Sequence, residues 1–202
     1  AGGRSKIADG PLGGGVTREV GRKGVSLGVA WTDPAESRVG TYYLEHGGVP
    51  RGTNVIYDRA DAAITTVEPD ELPAETLTES RWFHTTGITP ALSPAAAATT
   101  TALLRRAGEA GVTRSFDLNY RSKLWEPAEA REAYEDLFGH VDVLFVPRRD
   151  AREVLDRDGT AVEIAHGLAT DHGFQTVVVT RGDEGALALT DGDVYEQPVF
   201  EA

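Results

Sequence analysis

Thr176-Val177-Val178-Val179-Thr180 is the clearest buried strand in this chain of 202 residues. Val141-Asp142-Val143-Leu144-Phe145-Val146 is a second mostly apolar strand, and such strands are typical of a sheet covered on both faces. The neighbouring sequence predicts strands at 81–85 and 112–118, helices at 94–110, 126–137, 149–155 and 161–171, and a short helix that ends near Gly24. This alternation over about 120 residues predicts an α/β fold, with a mostly parallel, doubly wound sheet and helices on both faces.

Two β-rich runs lie outside this alternation. Val39–Leu44 and Thr53–Tyr57 are joined by a glycine-rich loop, which is typical of a β-hairpin with a long connection. We therefore predict an α/β core formed by 1–25 and 66–202, and a small β-sheet lid formed by 26–65. An exposed hairpin with aromatic side chains also suits a second copy of the chain, so the lid could serve as a dimer clasp.

Composition excludes several classes of function. The 20 basic and 32 acidic residues leave a net charge of −12, which argues against nucleic-acid and membrane-surface partners. No apolar run approaches the roughly 18 to 20 residues that a membrane span needs. Cysteine is absent, so disulfides, thiolate metal sites and a cysteine nucleophile are excluded. With no recognisable signal peptide, we expect a cytoplasmic protein.

Arginine greatly outnumbers lysine among the basic residues. The basic residues are 17 arginines and three lysines, beside 15 aspartates and 17 glutamates. An acid-rich, lysine-poor surface favours a halophilic cytoplasm, and an ordinary acidic protein from a high-GC genome is the alternative. Methionine is absent even at position 1, and the chain stops directly after a strand-like stretch. We expect the middle portion of a longer protein.

Polar segments follow two predicted strands at their carboxyl ends, where doubly wound sheets bind ligands. Asp117-Leu118-Asn119-Tyr120-Arg121 ends in a guanidinium that suits a carboxylate or phosphate, and a structural Asp–Arg pair is an equally supported alternative. Thr180-Arg181-Gly182-Asp183-Glu184-Gly185 has glycines that let backbone N–H groups approach an anion. A plain hairpin turn is the more common use of such glycines.

The lid carries a third candidate group. Tyr57 and Arg59 are two residues apart and share one face of their strand, and Tyr43 lies on the neighbouring run. Aromatic and guanidinium groups suit a polyhydroxylated acid, and the same surface also suits a dimer interface. The five histidines show no metal-ligand spacing, and no P-loop, catalytic-triad or dinucleotide motif is present.

The order of these motifs resembles that of the ribokinase-like (PfkB) carbohydrate kinases over essentially the whole chain. The segments that carry the likeness are Asp9-Gly10-Pro11-Leu12-Gly13, the hairpin, Thr86-Gly87-Ile88, Asp117–Arg121 and Thr180–Gly185. Phe83–Ser93, with Leu124-Trp125, further resembles the 2-keto-3-deoxygluconate kinases, and the composition points to a haloarchaeal form of that group.

The resemblance implies ATP-dependent phosphorylation of the terminal hydroxyl of 2-keto-3-deoxygluconate, with Mg²⁺. By position it implies sugar-acid contacts from Tyr43 or Tyr42, Tyr57, Arg59, Asn119 and Arg121, and nucleotide contacts from Thr180, Gly182 and Gly185. The family's Asn-x-x-Glu element, which organises Mg²⁺ and phosphate, would lie at 147–150. Pro147 replaces its Asn and Asp150 its Glu, so a metal role is carried over to Asp150 alone.

One departure bears on activity. The family's Gly-x-Gly-Asp segment, which supplies the aspartate base and a phosphate-binding helix N-terminus, does not occur in this sequence, and we expect it after Ala202. No catalytic residue is therefore assigned within the chain. Arg59 and Arg121 favour an acidic substrate over those of a fructokinase, ribokinase or nucleoside kinase. A non-catalytic sugar-acid-binding module is the remaining alternative, and a homodimer through the lid is expected.

Overall fold

The computed structural model describes residues 1–48, 51–72 and 75–200. The chain divides into two units, unit 1 (Ala1–Ala74) and unit 2 (Glu75–Ala202). The helices and strands of unit 1 are β1 (Gly2–Ala8), α1 (Pro11–Arg22), β2 (Ser26–Thr32), β3 (Thr41–Glu45) and β4 (Asn54–Asp58). Those of unit 2 are α2 (Glu75–Thr78), β5 (Trp82–Thr86), α3 (Pro94–Glu109), β6 (Thr113–Asp117), α4 (Pro127–Phe138), β7 (Val143–Pro147), α5 (Arg148–Leu155), α6 (Ala161–His172), β8 (Thr176–Thr180), β9 (Ala186–Thr190) and β10 (Asp193–Gln197).

Unit 1 begins with a parallel strand pair. β1 and β2 pair over their full length, and α1 is the crossover between them. An added Cβ at Gly13 would lie 2.3 Å from the Ala8 carbonyl oxygen, so α1 approaches β1 closely. Neither strand is predicted from the sequence. β1 contains two glycines, which weaken its strand signal, whereas the alternation of Leu27, Val29 and Trp31 in β2 is a strand signal that was missed. The predicted lid, 26–65, includes β2, which pairs with β1 and not with the hairpin, so the boundary at residue 26 divides a strand pair.

The predicted hairpin is present as β3 and β4. The two strands form a separate antiparallel sheet whose register runs from Thr41 opposite Asp58 to Glu45 opposite Asn54. Its connection includes residues 49 and 50, which lie outside the described residues. Beside the hairpin, the Arg38 guanidinium donates hydrogen bonds to the Asp58 carboxylate and to the Ala60 carbonyl oxygen. These bonds hold the end of β4 to the segment before β3.

Unit 2 is built on a mixed sheet with the strand order β10-β9-β8-β7-β6-β5. β5 to β8 are parallel, and β9 and β10 complete the sheet as an antiparallel hairpin. The predicted order of strands and helices is therefore confirmed. At α3 the predicted N-cap is also present, because the Ser93 hydroxyl accepts the Ala96 N–H at 3.0 Å and Pro94 takes the first helical position. No helix in the described ranges is long and apolar enough to cross a membrane.

The main core lies between this sheet and its helices. Alternate strand residues such as Leu144, Val146 and Val177 are fully buried and join side chains of the helices in one cluster. The residues between them, including Phe145 and Val178, are only partly buried. One face of the sheet in unit 2 is therefore fully buried against the helices, and the other face is partly buried.

Candidate functional site

The carboxyl ends of β5 to β8 lie side by side along one edge of the sheet. Thr86 pairs with Asp117, Asp117 with Phe145, and Pro147 with Thr180. Neighbouring strands are about 4.8 Å apart, so the segments that follow them share this edge, where open α/β sheets bind ligands. The predicted residues at the edge are Asn119, Arg121, Asp150, Thr180, Gly182 and Gly185.

Buried hydrogen bonds hold the loop after β6 at its start. The Gly87 N–H donates to the Asp117 carbonyl oxygen at 2.8 Å, and the Leu118 N–H donates to the Phe145 carbonyl oxygen at 3.0 Å. From α4, the Tyr134 hydroxyl donates to the Leu118 carbonyl oxygen at 2.9 Å. An added Cβ at Gly87 would lie 2.1 Å from that oxygen, so only glycine fits against the loop.

The loop turns sharply at Asn119. This residue has a φ of 41°, in the left-handed region that asparagine adopts more readily than most residues. Its N–H donates to the Asp117 carboxylate at 3.2 Å. Burial raises the pKa of Asp117, and the hydrogen bond from Asn119 opposes the rise. The turn is thus held by a partly buried carboxylate at the end of β6.

Arg121 follows this turn with an exposed side chain. In the described ranges its guanidinium forms no hydrogen bond or salt bridge. Asp117 and Arg121 form no salt bridge among the described residues, although the charge of Arg121 favours a lower pKa for Asp117. A guanidinium whose N–H donors are unused among the described residues can bind an anion at this edge.

Asp150 lies in the first turn of α5 and is 1% exposed. Its Oδ2 accepts the Tyr120 N–H at 3.0 Å, and its Oδ1 accepts two N–H groups of Arg149 at 3.0 and 3.1 Å. Nowhere in residues 1–48, 51–72 and 75–200 are three or more His, Asp or Glu side chains grouped to hold a metal ion. The metal role assigned to Asp150 by resemblance stays a prediction.

The turn after β8 is closed by hydrogen bonds between its own backbone groups. The Arg181 N–H donates to the Gly185 carbonyl oxygen at 2.8 Å, and the Gly185 N–H donates to the Gly182 carbonyl oxygen at 3.2 Å. Gly182 and Gly185 have φ angles of 63° and 90°. Space is open where a Cβ at Gly182 would project, whereas a Cβ at Gly185 would lie 2.1 Å from the Gln197 carbonyl oxygen. Gly185 is thus required by packing, while Thr180 and Gly182 face open surface.

The hairpin of unit 1 separates the predicted lid residues. Tyr42 lies directly opposite Tyr57, and Tyr43 lies opposite Ile56. Directly opposed residues of an antiparallel pair share one face, and successive residues alternate between faces. Tyr42 therefore shares the face of Tyr57, and Tyr43 lies on the other face. The Arg59 guanidinium lies 4.2 Å from the centre of the Tyr57 ring, which confirms that these two side chains meet.

Two supporting side chains at the sheet edge carry no motif in the sequence. Tyr134 looks like any core aromatic of an amphipathic helix, and Arg149 is one of several arginines on α5. A signal for the burial of Asp150 does exist, because Val154 lies one turn further along α5 on the same face and is fully buried. That spacing indicates a carboxylate directed toward the core.

The pattern of the pfkB family of carbohydrate kinases matches residues 25–202. This chain belongs to that family. It is 57% identical over 197 residues to the 2-dehydro-3-deoxygalactonokinase of Haloferax volcanii, and the match covers 98% of this chain and 61% of that protein. The pfkB chain thus spans about three fifths of the length of this curated relative.

Solved structures show the same fold. The 2-dehydro-3-deoxygluconokinase of Thermotoga maritima has a TM-score of 0.85 at 29% identity, with 96% of this chain and 63% of that chain covered. A putative ribokinase II of Escherichia coli, solved in complex with ATP and Mg²⁺, has a TM-score of 0.83 at 19% identity, with 100% of this chain and 63% of that chain covered. The ribokinase-like α/β fold is therefore shown.

Proposed function

We propose that this pfkB chain is part of an ATP-dependent kinase that phosphorylates a 2-keto-3-deoxy sugar acid. The observation that carries the proposal is the exposed guanidinium of Arg121, which forms no hydrogen bond or salt bridge among the described residues and stands at the ligand-binding edge of the sheet. Buried hydrogen bonds fix the loop that presents it. A rigidly presented arginine suits the carboxylate of an acid sugar, whereas a neutral sugar offers it no charge partner.

Two epimeric substrates fit this chemistry. The resemblance implies 2-keto-3-deoxygluconate, whereas the Haloferax volcanii relative is named for the galactonate-derived acid. Both acids present a carboxylate at one end and a terminal hydroxyl at the other, and they differ in the configuration of one carbon. Asn119 and Arg121 can bind either acid. The gluconate-derived acid is the first candidate because the sequence motifs resemble those of its kinases, and the galactonate-derived acid is the second.

ATP is the proposed phosphoryl donor. The exposed Thr180 and the open surface over Gly182 leave room for a nucleotide beside the sugar-acid edge. Asp150 itself is poorly suited to Mg²⁺, because it is buried with N–H donors on both oxygens and no group of three or more His, Asp or Glu side chains surrounds it in the described ranges. The Gly-x-Gly-Asp motif does not occur among these 202 residues, so the role proposed for them is to bind and orient the sugar acid.

The hairpin is the proposed dimer clasp. Tyr42, Tyr43, Ile56 and Tyr57 are all more than a third exposed, and an isolated two-stranded sheet is at best marginally stable. We assign the face of Tyr42, Tyr57 and Arg59 to the sugar acid, and the opposite face to a second copy of the chain. Tyr43→Ser should halve the mass measured by light scattering and leave the sugar-acid KM unchanged, whereas Tyr42→Ser should raise that KM in an intact dimer.

The kinase proposal is tested on the longest reading frame that contains this chain, in molar KCl. Phosphorylation of both epimeric acids is measured beside fructose and ribose. Arg121→Met should raise the KM for the acids by about 10- to 100-fold, while Arg105→Met, an exposed arginine on α3, should leave it unchanged. Preferred turnover of fructose or ribose would favour another pfkB kinase, and sugar-acid binding without turnover would favour a binding module.

A further inference from the structure

The partners of Asp150 show what this carboxylate does in the fold. A buried carboxylate is costly unless it is paired and hydrogen-bonded. Here Oδ2 accepts the backbone N–H of Tyr120 at 3.0 Å, and Oδ1 is paired with the Arg149 guanidinium at 3.0 Å. The Arg149 side chain is 72% exposed, so it closes the carboxylate from the solvent side while it remains hydrated. Both oxygens thus face N–H donors.

The N–H that Asp150 holds lies between two proposed sugar-acid contacts, Asn119 and Arg121. The preceding N–H, that of Asn119, is held by Asp117 at 3.2 Å. Two successive backbone N–H groups are therefore fixed by carboxylates from different segments, the end of β6 and the start of α5. Because Asn119 adopts a left-handed conformation, the backbone at 119 and 120 sets the direction in which Arg121 leaves the loop.

We infer that Asp150 is a positioning residue that holds the Asn119–Arg121 loop in its sugar-binding conformation, with Arg149 as counter-ion, and that it does not ligate Mg²⁺. The identity of the ligand rests on the proposed function. Magnesium prefers octahedral oxygen ligands at about 2.1 Å and keeps several waters. A cation at Asp150 would find only one acceptor site left, on Oδ2 of a side chain that is 1% exposed, and no group of three or more His, Asp or Glu side chains surrounds it in the described ranges.

The first test separates positioning from metal binding. The longest reading frame containing this chain is compared with its Asp150→Asn, Asp150→Ala and Asp136→Asn variants, the last a matched control because Asp136 is an exposed aspartate on α4. Calorimetry with 2-keto-3-deoxygluconate in EDTA should show about 10-fold weaker binding for Asp150→Ala. Asp150→Asn, which keeps an acceptor oxygen, should show a smaller loss, and Asp136→Asn should show none.

The Mg²⁺ concentration for half-maximal kinase activity should be the same in all four proteins. A metal role for Asp150 makes the opposite prediction. Metal-free sugar-acid affinity would then be unchanged in the Asp150 variants, and the Mg²⁺ requirement would rise in both of them. That result would overturn the inference.

A ligand-free measurement keeps this inference distinguishable from the proposed function. Exchange of the Tyr120 amide hydrogen should be about 10-fold faster in Asp150→Ala, with the Val177 amide unchanged as a check on folding. If the parent protein binds no sugar acid, the proposed function fails, and this exchange rate still decides the loop anchor. Equal exchange rates of the Tyr120 amide in parent and variant would overturn the inference that Asp150 holds the loop. Should Asp150→Ala not fold, Asp150→Asn is used, with severalfold faster exchange expected because its acceptor is neutral.

Discussion

Replacing Gly87 with alanine places a methyl group against the loop that presents Arg121. The new Cβ would lie 2.1 Å from the Leu118 carbonyl oxygen and 2.4 Å from the Tyr134 hydroxyl. Ordinary contacts between such atoms are about 3.5 Å. The carbonyl oxygen must therefore move away by more than about 1 Å to restore an ordinary contact. That movement breaks the hydrogen bond that the Tyr134 hydroxyl donates to it at 2.9 Å.

The expected loss of stability in Gly87→Ala combines two effects. Overpacking a well-packed core costs about 1 to 3 kcal/mol, and a buried carbonyl without its donor costs about 1 to 3 kcal/mol. Because the clash is with backbone rather than a flexible side chain, relief is limited. We therefore expect Gly87→Ala to lower the free energy of unfolding of unit 2 by about 3 to 4 kcal/mol.

Urea unfolding in molar KCl, followed by circular dichroism, measures this loss. Gly139→Ala is the matched control, because Gly139 is exposed, has a φ of −61° and has open space where its Cβ would project. The control should be neutral or more stable by up to about 1 kcal/mol. A loss below about 1 kcal/mol for Gly87→Ala would refute the packing argument, because it would mean that the loop can give way at little cost.

Three further substitutions test neighbouring features. Tyr134→Phe removes the same hydrogen bond without a clash, so urea unfolding should show a smaller loss than for the glycine variant, about 1 to 2 kcal/mol. Burial raises the pKa of Asp142, but hydrogen bonds from Arg114 outweigh it and hold the pKa below its usual value. Its stabilisation is therefore present above the unfolded pKa, near 3.9, and is lost as pH falls through the lower folded value. The difference in free energy of unfolding between the parent and Asp142→Asn should therefore shrink as the pH falls, and a difference that does not change with pH would contradict this. Gly185→Ala should lower the Tm more than Gly182→Ala, since only the former adds a backbone clash to the strain of a positive φ, and equal losses would contradict that difference.

Sequence patterning predicts most of unit 2 because its signals are local. Apolar runs such as 176–180, and the Ser93-Pro94 cap, identify strands and helix starts without knowledge of the rest of the chain. The strand β1, with two glycines in seven residues, is not predicted and is defined by its pairing with β2. Local propensity is weak there and the pairing partner decides.

The candidate site shows the same division. Motif positions in the sequence predict the residue types at the sheet edge, a guanidinium at 121 and a carboxylate at 150. The register of the hairpin is not predicted in this way, because the loop between β3 and β4 is too long to fix which residues face each other. Only the pairing of Tyr42 with Tyr57 shows which tyrosine shares the proposed sugar face.

The sequence by itself therefore determined the α/β class and the order of most elements, and it supplied Arg121, on which the proposal of an acidic substrate rests. Periodicity, caps and residue chemistry are properties of short segments and need no partner. The tertiary structure alone decided what Asp150 contacts, because its two partners come from the loop after β6 and from its own helix. Hydrogen bonds between residues about 30 positions apart depend on strand order and register, and those are set by packing of the whole sheet.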